Sequence, residues 1–440
     1  ASGPIALLIP LHLVGFFVFT MMTHGQLAAD RPEPRHLTEF YLLMSLGGVI
    51  GGAFNALLAP LIFDSVLEYP LTLILTCLLA PQLAQAPAKL AGRRWDALLP
   101  LAAGGLAAGG FFAARALGYG GTPIELALMY AIPMLLCFSM SRRPVRFALG
   151  VSAVLAASAL SANAQGAVLY TDRSFFGINK VVLRAADNRR MLIHGNTLHG
   201  LQNLPPANQR QPLAYYYPTG PIGQVFTAAR AIPELRRVAV VGLGSGALAC
   251  YAAPGQSWTF YEIDPVVAEI ARDPRYFSYL SDCAPDARIE LGDARLSLRD
   301  AASQSYDILV LDAYSSDAIP VHLVTREALR LYLDKLAPGG ILAFHISNRH
   351  LDLEPVLGNL AQDAGLTALT LNDTAISPEE ERDGKWPAQW VVMSREAALD
   401  QLGLKGDWQP IRRAPATPVW TDDYSSIVQT LRFLSGESDE

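Results

Sequence analysis

The sequence predicts a multi-pass α-helical membrane domain followed by an α/β Rossmann-like domain, with a small β-hairpin region between them. Three observations predict this fold class. Apolar segments recur through residues 1–165, strand and helix patterns alternate in the second half, and the two halves differ in charge. The first half holds nine Lys or Arg and seven Asp or Glu residues, whereas residues 166–440 hold 25 and 33. We therefore expect a membrane part and an acidic soluble part.

Six apolar segments make up the predicted membrane domain, and most approach the length that crosses a bilayer as a helix. The small-residue patterns GGVIGG (47–52) and GGLAAGG (104–110) favour close contacts between helices. The chain opens with Ala1 and without a basic start, which is typical of a fragment or a processed product rather than of a signal peptide. The segments lie at 5–23, 39–63, 69–86, 97–118, 124–141 and 147–162. Polar side chains inside them, which need partners, water or an interfacial position, are His12, Asn55 and Glu125.

The orientation of this domain presents a conflict. The loops at 87–96 and 142–146 are basic and the loop at 63–68 is acidic, so the two basic loops are expected in the cytoplasm. If all six segments cross the membrane, the soluble domain then lies outside the cytoplasm. Either the short, alanine-rich segment 147–162 does not cross fully, or the charge rule does not hold here, or the domain faces outward. Because the nucleotide-type ligand predicted below is made inside the cell, we expect the soluble domain in the cytoplasm.

Composition argues against several classes of function. The four cysteines are scattered, which argues against a disulfide framework, and no Cys/His spacing indicates a metal site. A basic footprint for nucleic acid is absent, whereas an acidic surface attracts cationic substrates such as polyamines. We therefore expect neither a metal nor a nucleic-acid partner.

The small β-hairpin region is predicted for residues 166–215. Its residues alternate as in strands, with a hairpin turned at Asp187 and Asn188. Two stretches, HGNTLHGLQ (194–202) and PLAYYYPTGPIGQVF (212–226), are rich in polar or aromatic side chains. They are candidates for the floor of a substrate pocket, and surface turns are the alternative.

The main site-forming stretch runs from Val238 to Asp264. VAVV predicts a buried strand that ends at three alternating glycines, in front of a predicted helix. Glycines there let backbone N–H groups approach a ligand closely. The alternative is that the glycines only allow a strand and a helix to pack tightly. The next strand, WTFYEI, brings Glu262 to its carboxyl end, where a ribose-binding acid is expected. We therefore predict an adenosine-containing ligand.

Two more strands bring acids to the same edge of the sheet. A third strand is predicted to end at Asp293 and a fourth at Asp312. Since ligands of open α/β sheets bind at the carboxyl ends of the strands, we expect these acids to converge with those of the main stretch. A helix predicted over 324–340, stopped by Gly339 and Gly340, leads into a fifth strand, ILAFHIS.

These motifs resemble the spermidine synthase family, a branch of the S-adenosylmethionine-dependent methyltransferase fold. The resemblance runs through GLGSGAL, YEIDPVV, GDAR, YDILVLDAYSSDAIP and LAPGGILAFHIS, over roughly residues 167–395. With the membrane half and the tail VWTDDYSSI, the chain resembles bacterial membrane-fused spermidine synthase-like proteins. The resemblance implies an inner-membrane protein, a catalytic domain over 216–440 and a homodimer.

The resemblance also implies residue roles. The glycines would pack against the nucleoside, Glu262 would hold the ribose hydroxyls and Asp293 the adenine amino group. Asp312 would help to deprotonate and position an attacking amine. The implied cofactor-binding residues are Gly242, Gly244, Gly246, Glu262, Asp264, Asp293 and Ala294. The implied catalytic residues are Asp312 and Asp317, and the candidate substrate-binding residues are Gln202, Tyr216, Tyr217 and His345.

The chain departs from the family pattern on the acceptor side. Soluble spermidine synthases carry D-x-x-D followed by proline, whereas Asp312 and Asp317 are five positions apart and alanine follows. The family's Tyr-His-Glu is replaced by Tyr-Tyr-Pro at 216–218, and His345 stands near a position where the synthases often carry glutamine. The nucleoside site is thus better matched than a putrescine site.

Three functions stay open at this point. The leading one is a membrane-anchored transferase that moves an aminopropyl group from decarboxylated S-adenosylmethionine to an amine, releasing methylthioadenosine. Its acceptor would be a putrescine-like amine or a membrane-associated molecule, with membrane lipid as a further partner. The second is a methyltransferase or a sulfonium lyase that uses S-adenosylmethionine. The third is a non-catalytic transporter or sensor with a nucleoside-binding domain.

Overall fold

The structure, a computed structural model, divides the chain into two compact units, Ala1–Gly166 and Ala167–Glu440. Asp317, one of the two predicted catalytic residues, lies outside the described residues. The residues that the structure describes are 5–79, 93–120, 122–162, 167–195, 197–313, 320–348, 350–404 and 406–432.

Unit 1 consists of helices, each of which coincides with part of a predicted apolar segment. By length and composition, three stretches of its described residues could cross a membrane: Pro10–Ala29, Pro34–Ile62 and Arg94–Ala116. The other long helices are apolar but shorter. The helices are α1 Ile5–Ala29, α2 Leu37–Ala53, α3 Ala59–Ile62, α4 Glu68–Leu78, α5 Arg93–Ala116, α6 Pro123–Ser139 and α7 Pro144–Ala162.

Small residues set the packing of α5 against α6 and α7. A Cβ added to Gly104 would lie 3.0 Å from Cβ of Ala153, and one added to Gly110 would lie 2.3 Å from the carbonyl oxygen of Leu128. The helix contacts predicted for GGLAAGG are therefore confirmed. For the glycines of GGVIGG, by contrast, no described atom lies within 4 Å of an added Cβ.

Unit 2 begins with a four-stranded antiparallel sheet in the order β1-β2-β3-β4. The predicted hairpin is confirmed as the pair β2–β3, and its turn includes Asn188 with a φ of 52°. Two further strands extend the hairpin, and all four lie within the predicted region 166–215. The strands are β1 Ala167–Ser174, β2 Gly177–Arg184, β3 Arg189–His194 and β4 Thr197–Asn203.

An eight-stranded sheet forms the centre of unit 2, in the order β12-β10-β11-β9-β8-β5-β6-β7. Strands β5 to β9 are mutually parallel, which confirms the predicted Rossmann-like sheet. Strand β11 runs antiparallel to β9 and β10, so the sheet is mixed. The strands are β5 Arg237–Val241, β6 Ser257–Glu262, β7 Arg288–Leu291, β8 Tyr306–Leu311, β9 Leu336–His345, β10 Thr367–Asp373, β11 Ala388–Ser394 and β12 Gln409–Pro410.

Helices cover both faces of this sheet. Successive side chains of a strand point to opposite faces, and in β5 Val238 and Val240 belong to one apolar core while Ala239 and Val241 belong to another. Both faces of the central strand are therefore buried, as a doubly wound fold requires. The helices are α8 Pro221–Ala229, α9 Pro265–Arg272, α10 Tyr279–Cys283, α11 Ala294–Asp300, α12 Arg326–Lys335, α13 Glu354–Asp363, α14 Pro378–Asp383 and α15 Glu396–Leu402.

Two predicted helices have the wrong extent. The segment after the glycines is a single 3₁₀ turn, Ala247–Tyr251, because Pro254 and the turn at Gly255 follow at once. Helix α12 ends at Lys335 rather than at the glycine pair, since the next residues already pair with β8. Gly339, with a φ of 80°, therefore lies inside β9.

Two of the four cysteines are paired, although their scattered positions argue against a disulfide framework. Cys250 and Cys283 form a disulfide, with their Cα atoms 4.8 Å apart. The 3₁₀ turn carrying Cys250 packs against α10, which ends at Cys283. A separation of 33 residues gives no sequence signal of this contact.

Candidate active site

A cavity of about 630 Å³ lies at the carboxyl ends of the parallel strands in unit 2. Each of the five strands contributes a lining residue at or just after its end. The cavity spans the point where strand order reverses between β5 and β8, which is where open α/β sheets bind their ligands. These residues are Gly242 after β5, Glu262 in β6, Asp293 after β7, Asp312 after β8 and His345 in β9.

The glycine loop allows close backbone contacts at this point. Gly242 has a φ of 96°, and an added Cβ would lie 2.3 Å from the carbonyl oxygen of Asp312. At Gly244 an added Cβ would lie 2.7 Å from the carbonyl oxygen of His199. Gly246 packs beside Leu280 and is not among the cavity-lining residues. Two of the three predicted glycines therefore line the cavity.

Glu262 is buried and held by the backbone. Its Oε2 accepts the N–H of Leu243 at 2.9 Å, and its Oε1 accepts the N–H of Asp264 at 2.9 Å. Burial raises the pKa of Glu262, although these N–H donors favour the ionised form. The glycine-loop N–H of Leu243 thus positions the carboxylate, and the carboxylate lines the cavity.

Asp264 connects the small sheet to the side of the cavity formed by β6. Its Oδ2 accepts hydrogen bonds from Ser174 at 2.7 Å and Asn179 at 2.8 Å, and its Oδ1 caps α9 through the N–H of Val266. Asn179 is fully buried and lines the cavity, and its Oδ1 has no hydrogen-bond partner among the described residues. A buried acceptor of this kind is costly unless a ligand or water supplies a donor.

Asp293 and Ala294 line the cavity beside the start of α11. Oδ1 of Asp293 accepts the N–H of Leu296 at 2.9 Å, and Oδ2 lies 3.2 Å from Nε2 of His322. Despite these acids, the described residues contain no group of three or more His, Cys, Asp or Glu side chains placed to hold a metal ion.

Asp312 lies at the centre of a hydrogen-bonded chain. Its Oδ2 accepts the hydroxyl of Tyr216 at 2.5 Å, and its Oδ1 lies 2.7 Å from Nδ1 of His345. Nε2 of His345 lies 2.6 Å from Oγ of Ser347, which accepts the N–H of Gln389 at 2.8 Å. The structure thereby brings together three sequence candidates from β8, β9 and the tyrosine run.

Aromatic rings fix the His345 side chain in place. Its imidazole stacks on Trp390 with ring centres 4.6 Å apart, and the ring of Tyr215 lies 4.9 Å from it. Tyr215 and Trp386 also line the cavity. Sequence reasoning selected the second and third tyrosines of the YYY run, whereas the first two line the cavity.

Two substrate-binding candidates lie elsewhere. Tyr217 is not among the lining residues. Gln202 is fully buried beneath the small sheet, where its amide donates to Gln209 and Ser278 and accepts the N–H of Ser278, each at 3.0 Å. These bonds give Gln202 a scaffold position, away from the cavity. Its neighbours His194 and His199 in the HGNTLHGLQ stretch do line the cavity.

Ser347, Asn179 and Gln389 also line the cavity and were not selected from the sequence. Ser347 lies two residues after the end of β9 and had a usable signal, since polar residues near strand ends mark such sites. Asn179 and Gln389 lie within strands, and only the folded arrangement places them at the cavity.

Two curated proteins are similar to part of this chain. The polyamine aminopropyltransferase of Vibrio vulnificus (strain CMCP6) is 36% identical over 115 residues, which are 25% of this chain and 37% of that protein. The probable polyamine aminopropyl transferase of Bifidobacterium longum (strain NCC 2705) is 26% identical over 165 residues, 36% of this chain and 33% of that protein. The chain thus spans about a third of the length of each relative.

Among solved structures, a probable spermidine synthase from Corynebacterium glutamicum ATCC 13032 is similar with a TM-score of 0.44 and 17% identity. The match covers 59% of this chain and 98% of that one. No family model matches the chain. The resemblance inferred from the motifs is confirmed by the two curated relatives, for the stretches that they match.

Proposed function

We propose that this protein is a membrane-anchored transferase that moves an aminopropyl group from decarboxylated S-adenosylmethionine to an amine, with release of methylthioadenosine. The observation that carries this proposal is the Asp312 carboxylate, which is oriented by Tyr216 and His345 in the same cavity as Glu262. The names of the two curated relatives support aminopropyl transfer as the reaction.

The nucleoside would occupy the side of the cavity formed by β5, β6 and β7. There the Glu262 carboxylate, held by two backbone N–H groups, retains lone pairs for the ribose hydroxyls. Oδ1 of Asn179 accepts a ligand donor, and Asp293 lies beside the start of α11, where it would accept the adenine amino group. These residues fit an adenosine-containing cosubstrate.

The transfer is a direct displacement. The amine nitrogen attacks the carbon beside the sulfonium, the C–N bond forms as the C–S bond breaks, and sulfur leaves as the neutral thioether methylthioadenosine. The new ammonium loses a proton to Asp312, which keeps lone pairs besides those used by Tyr216 and His345. The carboxylate also stabilises the cationic centres before transfer.

The acceptor is a small putrescine-like amine or an amine at the membrane. The cavity suits a cation, because four lining carboxylates surround it: Glu262, Asp264, Asp293 and Asp312. Apolar helices of unit 1 would anchor the enzyme in the inner membrane as a multi-pass protein. By the same resemblance the catalytic units would pair as a homodimer.

The test is product identification. Purified protein is incubated with S-adenosylmethionine or its decarboxylated form, with and without putrescine or spermidine, and the adenosine product is identified by mass spectrometry. Methylthioadenosine that forms only with decarboxylated cosubstrate and amine supports the proposal. S-adenosylhomocysteine would instead identify a methyltransferase, methylthioadenosine without any amine a lyase, and tight nucleoside binding without product a transporter or sensor.

A further inference from the structure

We infer that unit 2, with its cavity, lies on the extracytoplasmic side of the membrane. The inference rests on all six apolar segments of unit 1 crossing the membrane, including those of the shorter helices α4, α6 and α7, but not on the reaction proposed above. Two independent observations lead to it: the position of basic residues in unit 1, and the Cys250–Cys283 disulfide in unit 2.

Ion pairs fix the two ends of the α5–α6–α7 bundle. At one end, Nε of Arg146 donates to Oδ1 of Asp96 at 2.9 Å and Nη1 of Arg143 lies 3.6 Å from the same atom, so the start of α5 meets the α6–α7 turn. At the other end, Nε of Arg115 lies 3.4 Å from Oε1 of Glu125. Helix α7 therefore starts at the Asp96 end and finishes at the opposite end.

Basic residues are concentrated on the side of the Asp96 end. If the apolar segments cross in alternation, eight of the nine basic residues of this half fall in loops on that side, and only Arg115 falls on the other. Such an excess of Lys and Arg marks the cytoplasmic side. The eight are Arg31, Arg35, Lys89, Arg93, Arg94, Arg142, Arg143 and Arg146.

The chain leaves unit 1 from the opposite side. Helix α7 has 19 residues, about 28 Å of helix, which nearly matches a hydrocarbon core of about 30 Å. Unit 2 starts at Ala167, five positions after the last residue of α7, Ala162. Even fully extended, this link spans only about 17 Å and cannot return across the membrane.

The disulfide agrees with this orientation. Disulfides form and persist in oxidising compartments and are rare in the bacterial cytosol. Cys250 and Cys283 are paired in unit 2, whereas Cys77 and Cys137 in unit 1 are not. The charge pattern and the disulfide therefore outweigh the expectation of a cytoplasmic domain, which rested only on where nucleosides are made.

In this orientation the cosubstrate must be exported before it can reach the cavity. A sulfonium nucleoside that is made in the cytoplasm reaches an extracytoplasmic cavity only if a transporter carries it across the membrane. An amine acceptor, by contrast, can arrive from outside the cell.

Reporter fusions test the orientation without any substrate. Alkaline phosphatase is active only outside the cytoplasm, whereas green fluorescent protein fluoresces poorly when it is exported in unfolded form. Each is fused after Glu440, the last residue of the full chain, in a bacterial host. We expect phosphatase activity and little fluorescence. The reverse result overturns the inference, and neither result depends on whether the protein transfers aminopropyl groups.

Thiol counting gives a second, independent readout in the same cells. Cells are quenched in acid, the protein is denatured, and free thiols are coupled to a maleimide polymer that shifts the protein on a gel. We expect two adducts before reduction and four after it. The Cys250→Ser/Cys283→Ser double variant is the matched control, with two adducts in both conditions. Four adducts before reduction in the wild type would overturn the disulfide as evidence for an oxidising compartment.

Discussion

Nδ1 of His345 lies 2.7 Å from Oδ1 of Asp312, and Nε2 of the same ring lies 2.6 Å from Oγ of Ser347. Because a carboxylate oxygen can only accept, Nδ1 carries a proton and donates it to Asp312. Nε2 of the same ring contacts the hydroxyl of Ser347, which also accepts the N–H of Gln389. With Tyr216 donating to the other oxygen, Asp312 is held as an oriented acceptor.

Asp312→Asn should abolish most of the transfer activity. The amide is similar in shape but cannot accept the proton of the amine, so we expect kcat to fall by about 10²- to 10⁴-fold. Nucleoside binding, measured by calorimetry, should change little because Glu262 lies on another strand. Activity that survives the substitution would remove Asp312 from the mechanism.

Ser347→Ala tests positioning through His345. Loss of the hydroxyl removes the hydrogen-bond partner of Nε2, so the ring is less firmly fixed in the orientation that donates to Asp312. We expect kcat to fall by about 10- to 100-fold, with the Kd of the nucleoside unchanged. Ser347→Thr keeps the hydroxyl and should restore kcat. Equal losses in both variants would indicate a packing defect instead.

Glu262→Gln should weaken both nucleoside binding and the fold. The charged acceptor of the ribose hydroxyls is lost, and we expect nucleoside affinity to fall by about 10- to 100-fold, since bonds to charged groups contribute about 1.5–3 kcal/mol. Both carboxylate oxygens of Glu262 accept backbone N–H groups, so the NH2 group of glutamine would face one of these donors and the melting temperature should fall as well. Calorimetry and thermal unfolding measure the two effects. Unchanged nucleoside affinity would contradict the role of Glu262 in binding.

The sequence predicts the parallel half of the main sheet because its strands are continuous apolar runs. Strands buried on both faces have this pattern. Acidic residues were predicted at the strand ends, and Glu262 and Asp312 lie there in the structure. The antiparallel strands β10 to β12 were not predicted, since no motif marks them, although the turn at Gly365 precedes β10. The convergence of acids at one edge followed from the fold class alone.

Contacts between distant segments could not be predicted. The tyrosine run offered three equivalent phenols, and only the fold shows that Tyr216 reaches Asp312 while Tyr217 does not line the cavity. Gln202 appeared to belong to a polar stretch facing the cavity, but strand alternation and the bulge in β3–β4 turn it toward Ser278. The sequence identifies side chains with suitable chemistry, whereas the pairing of strands determines which of them line the same cavity.

Lys385→Gln should change the acid stability of unit 2. Nζ of Lys385 lies 2.9 Å from Oε1 of Glu380 and 3.0 Å from Oδ2 of Asp373. The hydrogen bond from Lys385, together with those from the backbone N–H and the hydroxyl of Ser377, lowers the pKa of Glu380 from 4.5 to about 2. A lowered carboxyl pKa stabilises the folded state above pH 4.5, and this stabilisation is lost as the pH falls toward 2.

We therefore expect Lys385→Gln to lower the urea midpoint at neutral pH and to flatten the fall of that midpoint between pH 4.5 and 2. Tryptophan fluorescence in urea measures it. Arg275→Gln is the control, because Arg275 pairs with Asp273 on the surface, where 78% of its side chain is exposed and water screens the pair. An unchanged pH slope in Lys385→Gln would show that the pair does not govern acid unfolding.

Gly242→Ala should lower the transfer rate, because the new side chain would clash with the backbone of Asp312. An alanine Cβ would lie 2.3 Å from the carbonyl oxygen of Asp312, so β5 and the end of β8 must move apart. Gly255→Ala is the matched control, since Gly255 also has a positive φ, 82° against 96°, but no atom lies within 4 Å of an added Cβ.

Both variants carry the strain of a positive φ, about 1 kcal/mol or somewhat more, and only Gly242→Ala adds a clash of about 1–3 kcal/mol. We expect Gly255→Ala to keep full kcat, whereas Gly242→Ala should lose at least about 100-fold, because a displacement of about 1 Å at a reacting group costs that much. Unfolding in urea and single-turnover kinetics measure the two effects. If both variants lost activity equally, backbone strain rather than the contact with Asp312 would explain the glycine.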